Sequence, residues 1–171
     1  NVMYSKTKKK FIYYKYNNLY FKIPTHGYVF KIIDFGRSIF TYKNRLFFND
    51  SFYKYGEAEG QYSSPNNHLL FINKNEIIKP NFNFDLCRLA ITIFDEIYIN
   101  EETKYNDNIE LFIQFCYELT LNKDNETLKN LDDDFDMYIT IAKEASNATP
   151  HVKLLHKIFE KYRVKKKNFP R

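Results

Sequence analysis

The residues with the clearest capacity for chemistry lie in one run, Tyr28-Val29-Phe30-Lys31-Ile32-Ile33-Asp34-Phe35-Gly36-Arg37-Ser38. Its apolar, β-branched first half has strand character and delivers a carboxylate, Asp34, to the strand end. Gly36 permits a turn that lets this carboxylate protrude. Other reactive groups offer less. His26, His68, His151 and His156 show no ligand spacing; the last two would sit roughly 140° apart around a helix, too far to share one metal. No Gly-x-Ser-x-Gly elbow occurs, and Cys87 lies in a buried helical pattern that makes a poor nucleophile. Cys87 and Cys116, the only cysteines, read as reduced thiols packed as small hydrophobes, with a single disulfide as the alternative.

The elements that must position Asp34 begin upstream of it. Residues 11–16 and 19–23 are β-prone runs around Asn17-Asn18, a pair that tolerates a tight hairpin turn. Pro24-Thr25-His26-Gly27 breaks the pattern before a strand at 28–33. Residues 36–81 keep neither a helical nor a strand period and read as a long loop of functional type. Its Ser51, Tyr53, Tyr55, Tyr62, Ser63 and Ser64 offer hydroxyls that could accept phosphate. Helical patterns follow Pro80. Over 84–98, Leu86, Ala90, Ile93 and Ile97 share a face while Leu89, Ile91 and Phe94 extend the apolar surface, so a core helix is expected. Residues 109–121 read as an amphipathic helix capped by Asp107-Asn108. Asp132-Asp133-Asp134 precedes a helix at 135–145 as a dipole-matched cap, with no calcium-loop spacing behind it. A last helix is expected at 150–164, with Val152, Leu155 and Phe159 inward.

A chain of 171 residues can bury one sizeable core. It opens on Asn1-Val2-Met3, which reads as a cut in a longer protein. No apolar run approaches the roughly 20 residues that cross a bilayer, so no membrane partner is expected. The abundance of Asn, Lys, Ile, Tyr and Phe reads as the bias of an AT-rich genome. A net charge of +5 is mild, and its clusters, Lys8-Lys9-Lys10 and Lys165-Lys166-Lys167, accompany no zinc-finger, RNA-motif or basic-zipper pattern. They are taken as solvated surface, and no nucleic-acid partner is expected.

The strand ending in Asp34-Phe35-Gly36 resembles the metal-binding strand and turn of the protein kinase family. Asn1-Val2-Met3 is similar to the Asn and apolar successors that close the family's catalytic loop, and Phe84-Asp85-Leu86-Cys87-Arg88-Leu89-Ala90 resembles the start of its central helix. With Gly60-Gln61-Tyr62 between them, these motifs are similar to protein kinase-like proteins of giant DNA viruses. The pattern departs in two places: the connection from Asn1 to Asp34 is longer than the family norm, and Ser64-Pro65-Asn66 is the nearest counterpart of Ala-Pro-Glu.

The resemblance implies a mainly α fold with a small β-hairpin region (α+β), a kinase-like C-lobe. Residues 1–36 would hold the catalytic-loop end, strands and metal-site triplet, 37–81 an activation-segment-like loop, and 82–171 the helical lobe. It implies that Asn1 and Asp34 hold magnesium, Phe35 packs beneath ATP, Gly36 allows the turn, and Asp85 anchors the catalytic loop. The parent would transfer the γ-phosphoryl of ATP to a protein hydroxyl, serine/threonine type favoured, at an intracellular site such as host cytoplasm or virion. The catalytic Asp, strand Lys and Gly-rich loop lie outside these residues, so the stretch alone is expected to be inactive. The alternative is a pseudokinase scaffold or interaction module without phosphoryl transfer.

Overall fold

The structure is a computed structural model that describes residues 1–52, 55–59, 61, 80–98, 105–129 and 134–170. It opens on an antiparallel ribbon. Strand β1 (Val2–Lys6) pairs with β4 (Tyr28–Ile32), and between them β2 (Phe11–Tyr16) pairs with β3 (Leu19–Pro24). Asn17, at φ +50°, makes the two-residue turn that the Asn-Asn pair suggests. The two pairings differ by one residue in register. The Thr7 N–H donates to the Gly27 carbonyl and the Thr25 N–H to the Lys10 carbonyl, so Lys8 and Lys9 face the single residue His26. Across from them Thr25-His26-Gly27-Tyr28 makes a tight turn, with His26 and Gly27 at positive φ and the Tyr28 N–H donating to the Thr25 carbonyl at 2.9 Å, so the two pairings stand as separate two-stranded sheets. The Thr25 hydroxyl, buried, holds the turn by donating to the Lys9 carbonyl at 2.6 Å.

Residues 1–36 and 155–171 form one compact unit, and residues 37–154 form another. In the first, the C-terminal tail returns to the hairpin. Phe21 bridges Arg163, the Val164 N–H donates to the Tyr20 carbonyl at 2.9 Å, and the Phe169 ring lies against Tyr13 and Tyr20. The helix expected over 150–164 is therefore short. It stops after α4 (Pro150–Lys153), because His156 is extended at φ −63° and ψ 147° and the chain continues in 3-10 turns along the ribbon.

The second unit carries the main core. Helix α1 (Phe84–Tyr98) packs on α2 (Asp107–Leu119) and α3 (Asp134–Glu144). Cys87, Ala90 and Ile91 from α1, Phe115, Cys116 and Leu119 from α2, and Met137 and Ile141 from α3 are buried. One stripe of α1, made of Asp85, Leu89, Thr92 and Glu96, is exposed. Leu89 is half-exposed, so the expected all-round burial is not met. Asn106, rather than Asp107-Asn108, caps α2: its side-chain oxygen accepts from the Asn108 and Ile109 N–H groups. Asp132 and Asp133 lie outside the described residues.

The mainly α, kinase C-lobe expectation is corrected by this architecture. Among the described residues, strands form three separate two-stranded sheets beside four α-helices, an α+β arrangement in the loose sense only. The third sheet lies where a structureless loop was expected. Strands β5 (Phe40–Tyr42) and β6 (Arg45–Phe47) join through Lys43 and Asn44, both at positive φ, as a two-residue hairpin turn requires. Three-residue strands are too short to show a period. Behind them Phe52 and Ala58 form a small buried cluster with Ile39, Leu46 and Phe48. Gly56 is needed there, since a Cβ would sit 2.3 Å from the Ser51 carbonyl oxygen.

Candidate functional site

The β1–β4 ribbon has an open end, and the register decides what meets there. Val2 faces Ile32, and the next pair is closed by the Ile33 N–H donating to the Asn1 carbonyl at 3.0 Å. Asp34 is thus one residue past the last bonded pair. It is left-handed, at φ +61°, a conformation that Asp adopts more readily than most side chains. The reversal folds its carboxylate back across the ribbon end. Asn1 Nδ2 donates to Asp34 Oδ2 at 2.6 Å, between residues 33 apart in sequence. Both side chains are exposed.

This pair is a hard-oxygen donor set. Turning the Asn1 amide by half a revolution exchanges its N–H₂ for its oxygen, a change that leaves the heavy-atom positions nearly fixed. Two oxygens bound to adjacent positions of octahedral magnesium stand about 3 Å apart, from metal–oxygen distances of about 2.1 Å. The Asn1–Asp34 spacing is close to that edge. The spacing would admit such a cation with Asn1 and Asp34 as two of its ligands. Asn1 and Asp34 would hold it, and a cation so placed supplies charge neutralisation to a phosphate group.

Gly36 has a different place from the one expected. The left-handed residue of the turn is Asp34, and Gly27 is the only positive-φ glycine described. A Cβ on Gly36 would approach Asp34 Oδ1 at 3.5 Å, an ordinary contact. Phe35 is 66% exposed.

Asp85 lies in the other unit, exposed on the first turn of α1. The residues that brace the start of α1 are Asn81 and Asn83. Asn81 Nδ2 donates to the Ile141, Ala142 and Ala145 carbonyls at the end of α3, at 3.4, 3.2 and 2.9 Å. Its Oδ1 accepts from the Asn83 N–H and side-chain amide. Asn83 Oδ1 in turn accepts from the Ala148 N–H and the Thr149 hydroxyl. A second clamp repeats the device: Asn147 Nδ2 donates to the Glu118 carbonyl at the end of α2. The sequence signal is an Asn-x-Asn pair, Asn81-Phe82-Asn83, directly ahead of a helical period.

In the loop region, Ser51 is tied to Asn49 through its hydroxyl, Tyr55 is strongly exposed at φ +68°, and exposed Arg37 pairs with Glu57. Tyr53, Gly60, Tyr62, Ser63, Ser64, Pro65, Asn66 and His68 lie outside the described residues. Burial pushes the thiols of Cys87 and Cys116 up to about 11, so both are protonated and unreactive at neutral pH. They are free. Among the described residues, no group of three or more His, Cys, Asp and Glu side chains could hold a metal, and no helix is long and apolar enough to cross a membrane.

No protein-family model, curated protein or solved structure matches this chain.

Proposed function

We propose that the ribbon end binds the magnesium of a magnesium–ATP complex, and that the protein serves phosphoryl transfer from ATP to a protein hydroxyl as part of a longer protein. One observation carries the reading: Asn1 and Asp34, far apart in sequence and both exposed, meet at 2.6 Å. A carboxylate and an amide in that arrangement suit a hard divalent cation, and a cation between protein and phosphate oxygens is what phosphoryl transfer needs for charge neutralisation. The pair positions; it does not supply a base. Asp34 and Glu160 are the only carboxylate side chains in residues 1–36 and 155–171. That scarcity favours, as the second reading, a binding module that holds magnesium–ATP without transferring phosphate.

Calorimetric titration of magnesium–ATP into the chain tests the proposal. Asp34→Asn keeps the left-handed preference and the size of the side chain while removing its charge. It is expected to weaken binding by tenfold or more, and Asn1→Ala by less. Equal affinity for the parent chain and Asp34→Asn would remove the proposal's basis. Transfer and binding-only readings then separate by whether a longer parent labels a protein hydroxyl from γ-labelled ATP.

A further inference from the structure

The mild net charge of the chain conceals a division between its two units. Residues 1–36 and 155–171 carry fourteen Lys and Arg against two acids, a net +12; residues 37–154 carry twelve against nineteen, a net −7. The two lysine clusters that look isolated in sequence belong to the same unit. Lys8-Lys9-Lys10 lies in the connection from β1 to β2, across from the turn at residues 25–28. Lys165-Lys166-Lys167 follows Val164, which is bonded to Tyr20, and precedes Phe169, which packs on Tyr13 and Tyr20. All six of these lysines are exposed, as are Lys6, Lys15, Lys31, Lys157 and Lys161.

Rings stand among these charges. The register places Tyr4 opposite Phe30 and Lys6 opposite Tyr28, so Tyr4, Phe30 and Tyr28 share one ribbon face with Lys6. Tyr4 lies 5.5 Å from Tyr28 and 6.4 Å from Phe30, centroid to centroid. Tyr4 and Phe30 remain 64% and 69% exposed. Tyr14 and Tyr16, on the β2–β3 sheet of the same unit, are exposed as well. Burying such rings is favourable, and nothing in the described chain buries them.

We infer that this unit binds single-stranded nucleic acid, with the lysines tracking the phosphates and Tyr4, Tyr28 and Phe30 stacking on bases. Cations interleaved with exposed rings on an extended element are the requirements for such binding. The form of the ribbon separates this partner from a lipid surface. Lys6 lies on the face of Tyr4 and Phe30, while Lys31 lies with Met3 on the other, and both faces are exposed. A planar bilayer can meet one face at a time; a flexible polynucleotide can follow both. A merely acidic protein would use the charges and leave the rings without a role.

Fluorescence anisotropy of a labelled oligothymidylate 20-mer with the full 171-residue chain tests the inference. Binding is expected, weakening at least about tenfold between about 50 and 200 mM salt. Replacing Lys8, Lys9, Lys10, Lys165, Lys166 and Lys167 together by Ser is expected to weaken binding further and flatten its salt dependence. Tyr4→Ala with Phe30→Ala is expected to weaken binding about tenfold or more while leaving the salt slope unchanged. All these positions are exposed, and an unchanged thermal melt identifies variants that remain folded. The inference is overturned by no binding, by equal affinity for the duplex of the same sequence, or by full affinity in the aromatic double variant. Tighter binding to phosphatidylserine vesicles or to polyglutamate than to the oligonucleotide overturns it as well.

Discussion

The two units solve opposite problems. Residues 37–154 bury hydrophobic side chains from three helices and the loop cluster, whereas Phe21 is the only buried hydrophobic residue described in residues 1–36 and 155–171. The ribbon instead leaves Val2, Met3, Tyr4, Phe30, Ile32 and Phe35 more than half exposed. Backbone hydrogen bonds hold its strands in register, and a two-stranded ribbon has little apolar burial with which to stabilise itself. The helical unit has the material of a stable core; the ribbon has the material of an interface. Fold stability and candidate chemistry are therefore carried by different residues.

The contrast breaks most easily at the helical core. Ile141 is fully buried, and Ile141→Ala is expected to cost about 2–5 kcal/mol from lost transfer energy and a residual cavity. Phe30→Ala, on the open ribbon, is expected to change stability by no more than about 0.5 kcal/mol. Denaturant unfolding of both variants measures the difference. A comparable loss from Phe30→Ala would mean that the ribbon face is structural.

The next effect concerns which residues brace α1. Asn83→Ala strands the Ala148 N–H and the Thr149 hydroxyl, each a part-buried donor, and is expected to cost about 1–3 kcal/mol. Asp85→Ala removes only a favourable charge from an exposed first turn and is expected to cost about 0.3–1 kcal/mol. Thermal melts rank them. The reverse order would restore Asp85 as the anchor.

These two positions show what could be read from the chain alone. The period of Phe84–Tyr98 marked α1 with its observed bounds, and Asn17-Asn18 marked the hairpin, because both are local patterns. The meeting of Asn1 and Asp34 was accessible only through a family resemblance, since it depends on the register of strands separated by an inserted hairpin. The Asn clamps were hidden for a related reason: Asn81 and Asn83 act through carbonyls and donors about 60 residues away, and composition alone reads them as bias. The charge division was hidden because the tail rejoins the ribbon, bringing two short lysine runs into one unit. The β5–β6 hairpin escaped because its strands are three residues long.

A pH series probes the core from another side. The folded thiols of Cys87 and Cys116 lie near 11 against an ordinary value of 9.0, raised by burial. Unfolding exposes thiols that ionise more readily, so above pH 9 the unfolded state is favoured as it releases protons. Stability is expected to be independent of these thiols below pH 9 and to fall from there toward pH 11. Both thiols are expected to resist alkylation at pH 8 until the chain is unfolded. Rapid alkylation of the native chain would contradict the packing of α1 and α2. Gly36→Ala carries the smallest expected effect, because its Cβ makes only an ordinary contact with Asp34; a change in melting temperature of more than a few degrees would show a structural role for Gly36.

The claim on which the functional reading rests is that Asn1 and Asp34 hold a divalent cation together. Titrating manganese with ATP into isotopically labelled protein, and recording amide resonances, measures this directly, because the paramagnetic ion broadens only nearby signals. Selective broadening at Val2, Ile33, Asp34 and Phe35, abolished by Asp34→Asn, is the result expected. Broadening that is spread over the surface, centred elsewhere, or unchanged in Asp34→Asn would contradict the account.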